Sequence, residues 1–197
     1  MRSAGVLRTI ASEHERLDST KDKEIIRRFA AGEQDAAFRM LMSSYQRPLY
    51  QLTRRMMGNH EDADDALQNT FVKAWKGLPK FREDSKLFSW LYRIASNESL
   101  NLLDKRKRSH GTSLDEVTEL AGESHISLSG DEIQAMLHTA IETLPSKQKL
   151  VFTLKYFQEL KYEEIADITG TSVGALKSSF HLAVKKIELY LADRSNL

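Results

Sequence analysis

The stretch Lys161-Tyr-Glu-Glu-Ile-Ala-Asp-Ile-Thr-Gly-Thr-Ser-Val-Gly-Ala-Leu-Lys-Ser-Ser-Phe-His-Leu-Ala-Val-Lys-Lys-Ile187 decides the fold of the C-terminal part. A short helix carries Ile165, Ala166 and Ile168 inward. Gly170 supplies a tight turn, a position that often needs positive φ. Ser172 caps a second helix, whose inward positions Val173, Leu176, Phe180, Ala183/Val184, Ile187 and Leu191 recur at three and four residues. Small Ala166 lets the two helices cross closely. Two helices around such a turn make a helix-turn-helix, and its second helix is the one that enters a DNA groove. The outward side of that helix offers Lys177, Ser178, His181 and Lys185. Lysine and histidine bind phosphate, while Ser178 and His181 reach base edges. Lysine on a helix is usually just solvated. The agreement of turn, cap and basic face favours DNA; His181 alone would carry little.

Upstream, residues 131–144 repeat the helical period through Ile133, Met136/Leu137, Ala140/Ile141 and Leu144. Pro145 opens the next helix, and Leu150, Val151, Leu154 and Phe157 face a core. Before that, residues 109–130 hold Ser, Gly, Thr and acids with scattered apolar residues, and read as a flexible tether.

The N-terminal half is also helical. A first helix from Asp22 to Ala31 buries Ile25, Ile26 and Phe29 and stops at Gly32. Asp35 stands where a second helix is capped. That helix carries Phe38, Leu41, Met42, Tyr45, Leu49 and Leu52, with a kink expected at Pro48. Acidic residues 61–65 suit the start of a third, whose buried side is Ala63, Ala66/Leu67, Thr70/Phe71, Ala74/Trp75 and Leu78. Gly77 and Pro79 close it. Asp84 or Ser85 caps a long fourth helix reaching Arg108, with Leu87, Leu91, Ile94, Ala95 and Leu102 inward. Core packing is the simplest role for Phe88, Trp90 and Tyr92.

Of 197 residues, 41% are hydrophobic and 29% charged, which suits a soluble globular chain. The net charge of +1 hides segregation: +6 over residues 1–108, −7 over 109–146 and +2 over 147–197. A basic block, an acidic stretch and a mildly basic block suggest two modules and a linker. The absence of cysteine excludes disulfide scaffolds and thiolate metal sites. No apolar run approaches a membrane span, and the first 17 residues have no apolar signal core, so a cytoplasmic protein without membrane insertion is expected. Nine Gly and three Pro leave little room for strands and turns. The expected fold is all-α: two small helical domains joined by a flexible linker, the C-terminal one a helix-turn-helix. The divisions are a leader at 1–21, a first domain at 22–108, an acidic linker at 109–130 and a second domain at 131–197.

The fourth helix has a second stripe, Arg93, Asn97, Asn101 and Lys105, at one-turn spacing, leading into Lys105-Arg106-Lys107-Arg108. Amides read base edges and cations neutralise phosphates. Lys80, Arg82 and Lys86 flank a loop lying in sequence between Trp75 and Trp90. Basic and aromatic groups beside a loop suit an unstacked single strand. A solvated helix with buried tryptophans explains the same composition about as well.

Ala31-Gly-Glu-Gln-Asp-Ala-Ala-Phe38, Asp62-Ala-Asp-Asp-Ala-Leu-Gln-Asn-Thr-Phe-Val-Lys-Ala-Trp75, the run from Phe81-Arg82 through Phe88-Ser-Trp-Leu-Tyr-Arg-Ile-Ala-Ser-Asn97, Leu144-Pro-Ser-Lys-Gln148 and the helix-turn-helix occur in an order and spacing that resemble the extracytoplasmic-function group of bacterial RNA polymerase sigma factors. The resemblance spans residues 22–108 and 131–191. It implies a first domain that docks on the clamp helices of the largest core polymerase subunit through Asp65, Gln68 and Asn69. It implies that this domain opens the minus-ten element and holds a flipped base in the loop after Pro79, with Lys80, Arg82, Lys86, Arg93, Asn97, Asn101 and Lys105 toward DNA. The second domain then reads duplex at the minus-thirty-five element through Ser172, Lys177, Ser178, His181 and Lys185. Relatives are often held by an anti-sigma partner. Ser179 and Leu182 stand where many relatives have Arg, which shifts minus-thirty-five recognition toward DNA shape. A tether of about 22 residues spans roughly 70 Å, on the order of 20 base pairs at about 3.4 Å each.

Two other functions compete. A stand-alone dimeric helix-turn-helix regulator explains residues 131–191 but not the Asp62–Trp75 helix or the Arg93–Lys105 stripe. An enzyme would need a phosphate loop, a nucleophile elbow or a metal motif, and the six dispersed histidines supply none. No cofactor, metal or catalytic residue is expected.

Overall fold

In the computed structural model, residues 20–81, 86–109 and 130–195 are described, and the regular structure among them is helical. The first helix, α1, covers residues 20–30. Ile25 anchors it in the core, and the Tyr45 hydroxyl donates to the Asp22 carboxylate at 2.7 Å, both side chains buried. Next come α2 (Gln34–Met57) and α3 (His60–Gly77), then a 3-10 turn (Leu78–Lys80) and α4 (Leu87–Ser109). The C-terminal half holds α5 (Gly130–Glu142), α6 (Ser146–Phe152), a π turn (Thr153–Phe157), α7 (Tyr162–Thr169) and α8 (Val173–Ser195).

Helix ends follow local chemistry. The cap expected at Asp35 moves upstream: α2 starts at Gln34 with Glu33 before it, and Asp35 falls in the first turn, where its charge still meets the exposed N–H groups. Pro48 lies inside an assigned α2 that runs unbroken to Met57. Asn59 caps α3, its side-chain oxygen accepting from the Asp62 N–H at 2.8 Å. The expected caps Asp84 and Ser85 lie outside the described residues. Gly77 ends α3 where a side chain has no room: a Cβ there would stand 2.9 Å from the Trp90 ring. Gly170 has the expected left-handed φ of +67° at the helix-turn-helix turn. The Ser172 hydroxyl accepts from the Ala175 N–H at 3.3 Å, and the Glu164 carboxylate accepts from the Lys161 N–H at 2.8 Å.

In the first half, α2, α3 and α4 pack on one another around Leu41, Leu49, Leu52, Met56, Ala66, Phe71, Leu87 and Leu91. In the second, α5, α6 and α8 enclose Ala140, Ile141, Leu144, Phe152, Ala183 and Ile187. Phe152 stacks on Phe180, with ring centres 5.7 Å apart. The two halves also meet: α4 packs on α7 and α6, and α2 packs on α6 and the π turn. Leu150, Val151, Leu154, Ile165, Ile168 and Leu176 join the same buried cluster as Leu87, Leu91 and Tyr92.

Candidate nucleic-acid and protein-docking interfaces

The outward side of α3 carries Asp65, Gln68 and Asn69, all exposed. One turn on, Val72 is 51% exposed, an apolar side chain on an otherwise polar stripe. Trp75, expected on the buried side, is 38% exposed. It lies at the edge of the buried stripe, and its ring covers Phe38 edge-on at 4.9 Å instead of entering the core. Behind this face, Lys73 pairs with the largely buried Glu98 of α4. The first turn of α3 is fixed through Asp62, which accepts from Asn59 Nδ2 and from the Arg106 guanidinium, each at 2.8 Å.

Lys86, just before α4, and Arg93, Asn97, Asn101 and Lys105 on it are all exposed, and the last four share a face. Lys80 is exposed in the 3-10 turn, while Arg82 lies outside the described residues. Trp90 is half-buried against Phe81 at 5.1 Å and against Gly77, and Phe88 packs on Tyr92 at 4.2 Å, so packing holds these rings. Not every cation of the Lys105–Arg108 block points to solvent alone. Arg106 also reaches the Met57 carbonyl, and Lys107 donates to the Ser146 hydroxyl at 3.2 Å. Arg93 donates to the main-chain carbonyl of Asp167 in α7. Sequence spacing carries no sign of that contact, because it joins residues 74 apart.

Ser172, just before α8, and Lys177, Ser178, His181 and Lys185 on it are exposed. Ser172 spends one lone pair on the cap. The Ser178 hydroxyl donates back to the Gly174 carbonyl at 3.2 Å, which leaves it as an acceptor toward the outside. The Tyr162 ring meets two lysines, Lys155 of the π turn at 4.9 Å and Lys177 of α8 at 5.8 Å from its centre, and so helps to hold the Lys177 cation. Leu182, 48% exposed, adds an apolar contact beside His181.

Between the halves, Lys149 is only 3% exposed and donates to the Glu142 carboxylate at 2.7 Å. Burial pushes its pKa below the usual lysine value, Glu142 opposes that shift, and nearby Arg106 adds to it. The Arg55 guanidinium sits 3.6 Å from the Phe157 ring centre, and its burial lowers its pKa as well.

Known proteins repeat this arrangement. The family model for Sigma-70 region 2 matches residues 41–109, and that for Sigma-70, region 4 matches residues 134–187. The RNA polymerase sigma-H factor of Pseudomonas aeruginosa is 30% identical over 183 residues, covering 87% of this chain and 94% of that one. The ECF RNA polymerase sigma factor SigW of Bacillus subtilis is 30% identical over 186 residues, covering 87% and 97%. Among solved structures, the sigma factor RpoE in complex with the anti-sigma factor NepR from Bartonella quintana superposes with a TM-score of 0.61 at 25% identity, covering 79% of this chain and 96% of that one. CnrH in complex with the cytosolic domain of CnrY shares the fold with a TM-score of 0.66, covering 88% and 98%. With both family regions in order on one chain, and relatives matched over nearly their whole length, this protein belongs to the extracytoplasmic-function group of the sigma-70 family.

Proposed function

We propose a division of labour among three helices of this sigma factor. The protein binds core RNA polymerase, recognises the minus-thirty-five and minus-ten promoter elements and promotes promoter opening; it binds and does no chemistry of its own. The docking face is Asp65, Gln68 and Asn69 on α3, extended by exposed Val72, and its partner is the clamp helices of the largest core subunit. The minus-ten element, as an opened strand, meets Arg93, Asn97, Asn101 and Lys105 on α4 with Lys80, Arg82 and Lys86 at its entrance. Duplex at the minus-thirty-five element meets Lys177, Ser178, His181 and Lys185 on α8, with Ser172 at the helix start. The reading body is residues 22–108, the second reader 131–197, and the linker between them 109–130. An anti-sigma protein is a further partner, as in the relative bound to NepR.

One observation carries this reading: an exposed basic-and-amide stripe and a helix-turn-helix lie in separate halves of a chain whose third helix presents an acidic-and-amide face. A dimeric regulator has no use for the first half. Among the described residues no helix is long and apolar enough to cross a membrane, and we place the protein in the cytoplasm, with the polymerase.

Transcription in vitro with purified core polymerase tests the assignment. Promoter-dependent transcripts that require this protein are expected; DNA binding as a stable dimer without polymerase would favour the regulator instead. Asp65→Lys with Gln68→Ala should weaken core binding while the fold survives. Lys177→Glu should impair minus-thirty-five use more than core binding, and equal loss of both would contradict the split.

A further inference from the structure

One glycine and one leucine on the outward side of α8 are not required by the fold. Gly77 has no room for a side chain and Gly170 needs its left-handed φ. Gly174, the second residue of α8, has neither reason. Its φ is not left-handed, it is exposed, and a Cβ there would meet nothing within 4 Å. Alanine in its place would favour the helix, since glycine has more backbone freedom to lose. Two turns on, Leu182 is 48% exposed, while Leu176, Ala183 and Ile187 fill the inward side. Lone exposed leucines are ordinary. This one stands among Ser178, His181 and Lys185, the groups proposed to meet duplex.

Gly174, Ser178 and Leu182 follow at four-residue intervals, so they share one face of α8. They span about 12 Å of helix, on the order of 3–4 base pairs at about 3.4 Å each. The three offer different things to a major groove. Gly174 offers no side chain, so the helix backbone can lie against the duplex there. Ser178 gives its proton to the Gly174 carbonyl at 3.2 Å, so outward it only accepts. That suits the amino group of adenine or cytosine and not the N7 and O6 acceptors of guanine. Leu182 can bond neither phosphate nor a polar base edge. The apolar group that the major groove presents is the C5-methyl of thymine.

We propose that Leu182 reads a thymine methyl group in the minus-thirty-five element, and that Gly174 gives the clearance that lets α8 come close enough to do so. This rests on the sigma-factor reading given above and deepens it at one position of α8. A leucine among lysines and a histidine adds no attraction to the DNA backbone. What it adds is discrimination, since adenine, guanine and cytosine carry no methyl group in the groove. The two positions act together: a side chain at 174 would hold the first turn of α8 away from the duplex and draw Leu182 off the methyl group.

Holoenzyme reconstituted from core polymerase and the full-length chain can select its own element from promoter duplexes randomised over the minus-thirty-five region. Wild type should enrich a fixed thymine that Leu182→Ala, with its shorter side chain, does not. Replacing that thymine by deoxyuridine removes the methyl group alone. The exchange should weaken binding of the wild-type holoenzyme about fourfold, the worth of one buried methyl group. The Leu182→Ala holoenzyme should bind the two duplexes alike. A wild-type holoenzyme indifferent to deoxyuridine at every thymine, or a Leu182→Ala holoenzyme that keeps the sensitivity, would overturn the assignment. Wild type that enriches no element at all would instead overturn the minus-thirty-five reading beneath it. Gly174→Ala should separate stability from reading. Its thermal midpoint should rise by about 2 °C. Its holoenzyme should bind the selected duplex about tenfold more weakly, with core binding unchanged. Affinity for that duplex equal to wild type's would overturn the close approach at Gly174.

Discussion

The Arg106 guanidinium donates to the Asp62 carboxylate at 2.8 Å and thereby fastens the last turn of α4 to the first turn of α3. Three helix ends converge there, since Asp62 also accepts from Asn59 and Arg106 also reaches the Met57 carbonyl at the end of α2. Both side chains remain partly in water, so Arg106→Ala should cost only about 1 kcal/mol in urea unfolding. Arg106→Lys should recover part of it, because both contacts come from one guanidinium nitrogen, Nη1, and an ammonium keeps a charged donor for Asp62.

Gly77→Ala tests the packing of Trp90. The added methyl group overlaps the indole, and either the ring or the end of α3 must move. A loss of about 1–3 kcal/mol is expected from thermal unfolding. A changed emission of Trp90, read in a Trp75→Phe background since the chain has two tryptophans, would locate the strain.

Glu142 and Lys149 predict unequal effects of removing either partner. Glu142→Gln leaves a buried ammonium without its counter-charge and should destabilise by about 2–3 kcal/mol, the lower range because Glu142 stays partly solvated. Lys149→Met removes the buried charge and should be near neutral. The pH dependence has a definite sign. The folded pKa of Lys149 lies below the usual value of 10.5, so its contribution is present above 10.5 and is lost as pH falls through the folded value. Wild type should therefore gain stability relative to Lys149→Met as pH rises from 8 toward about 10.5 in denaturant titrations.

Glu24 gives the acid-side prediction. Hydrogen bonds from Arg27 and Arg28 lower its pKa from 4.5 to about 2. A carboxylate depressed in the folded state contributes above 4.5, and that contribution is lost as pH falls through about 2. The protection factors of α1 amides, corrected for the intrinsic exchange rate at each pH, should fall over that window in wild type, and Glu24→Gln should flatten the change.

The C-terminal reading was legible because its signals are local. Gly170, Ser172 and the inward stripe of α8 each act within a few residues of themselves, and the structure places them as expected. The outward positions of α3, α4 and α8 were legible for the same reason. The second face of α4 was not. Serines at 89, 96 and 99 look in sequence like a solvated side, yet all three are buried, on a helix that packs against α2, α3, α6 and α7. Arg106 read as one more phosphate-binding cation, because its partner Asp62 lies 44 residues away. Trp75 was misplaced because a large ring at the border of a buried stripe can cover a neighbour without sinking in.

The Thr153–Phe157 turn carries a consequence for how this chain can vary. Its Gln158 N–H bonds back five residues to Thr153 rather than four, so it holds one residue more than an ordinary helical turn. Deleting that surplus residue would swing all that follows by about 100° around the helix axis. Phe157 would leave Arg55, and the downstream helix pair would be aimed elsewhere. Natural length variants are therefore expected to spare these five positions even where their side chains drift.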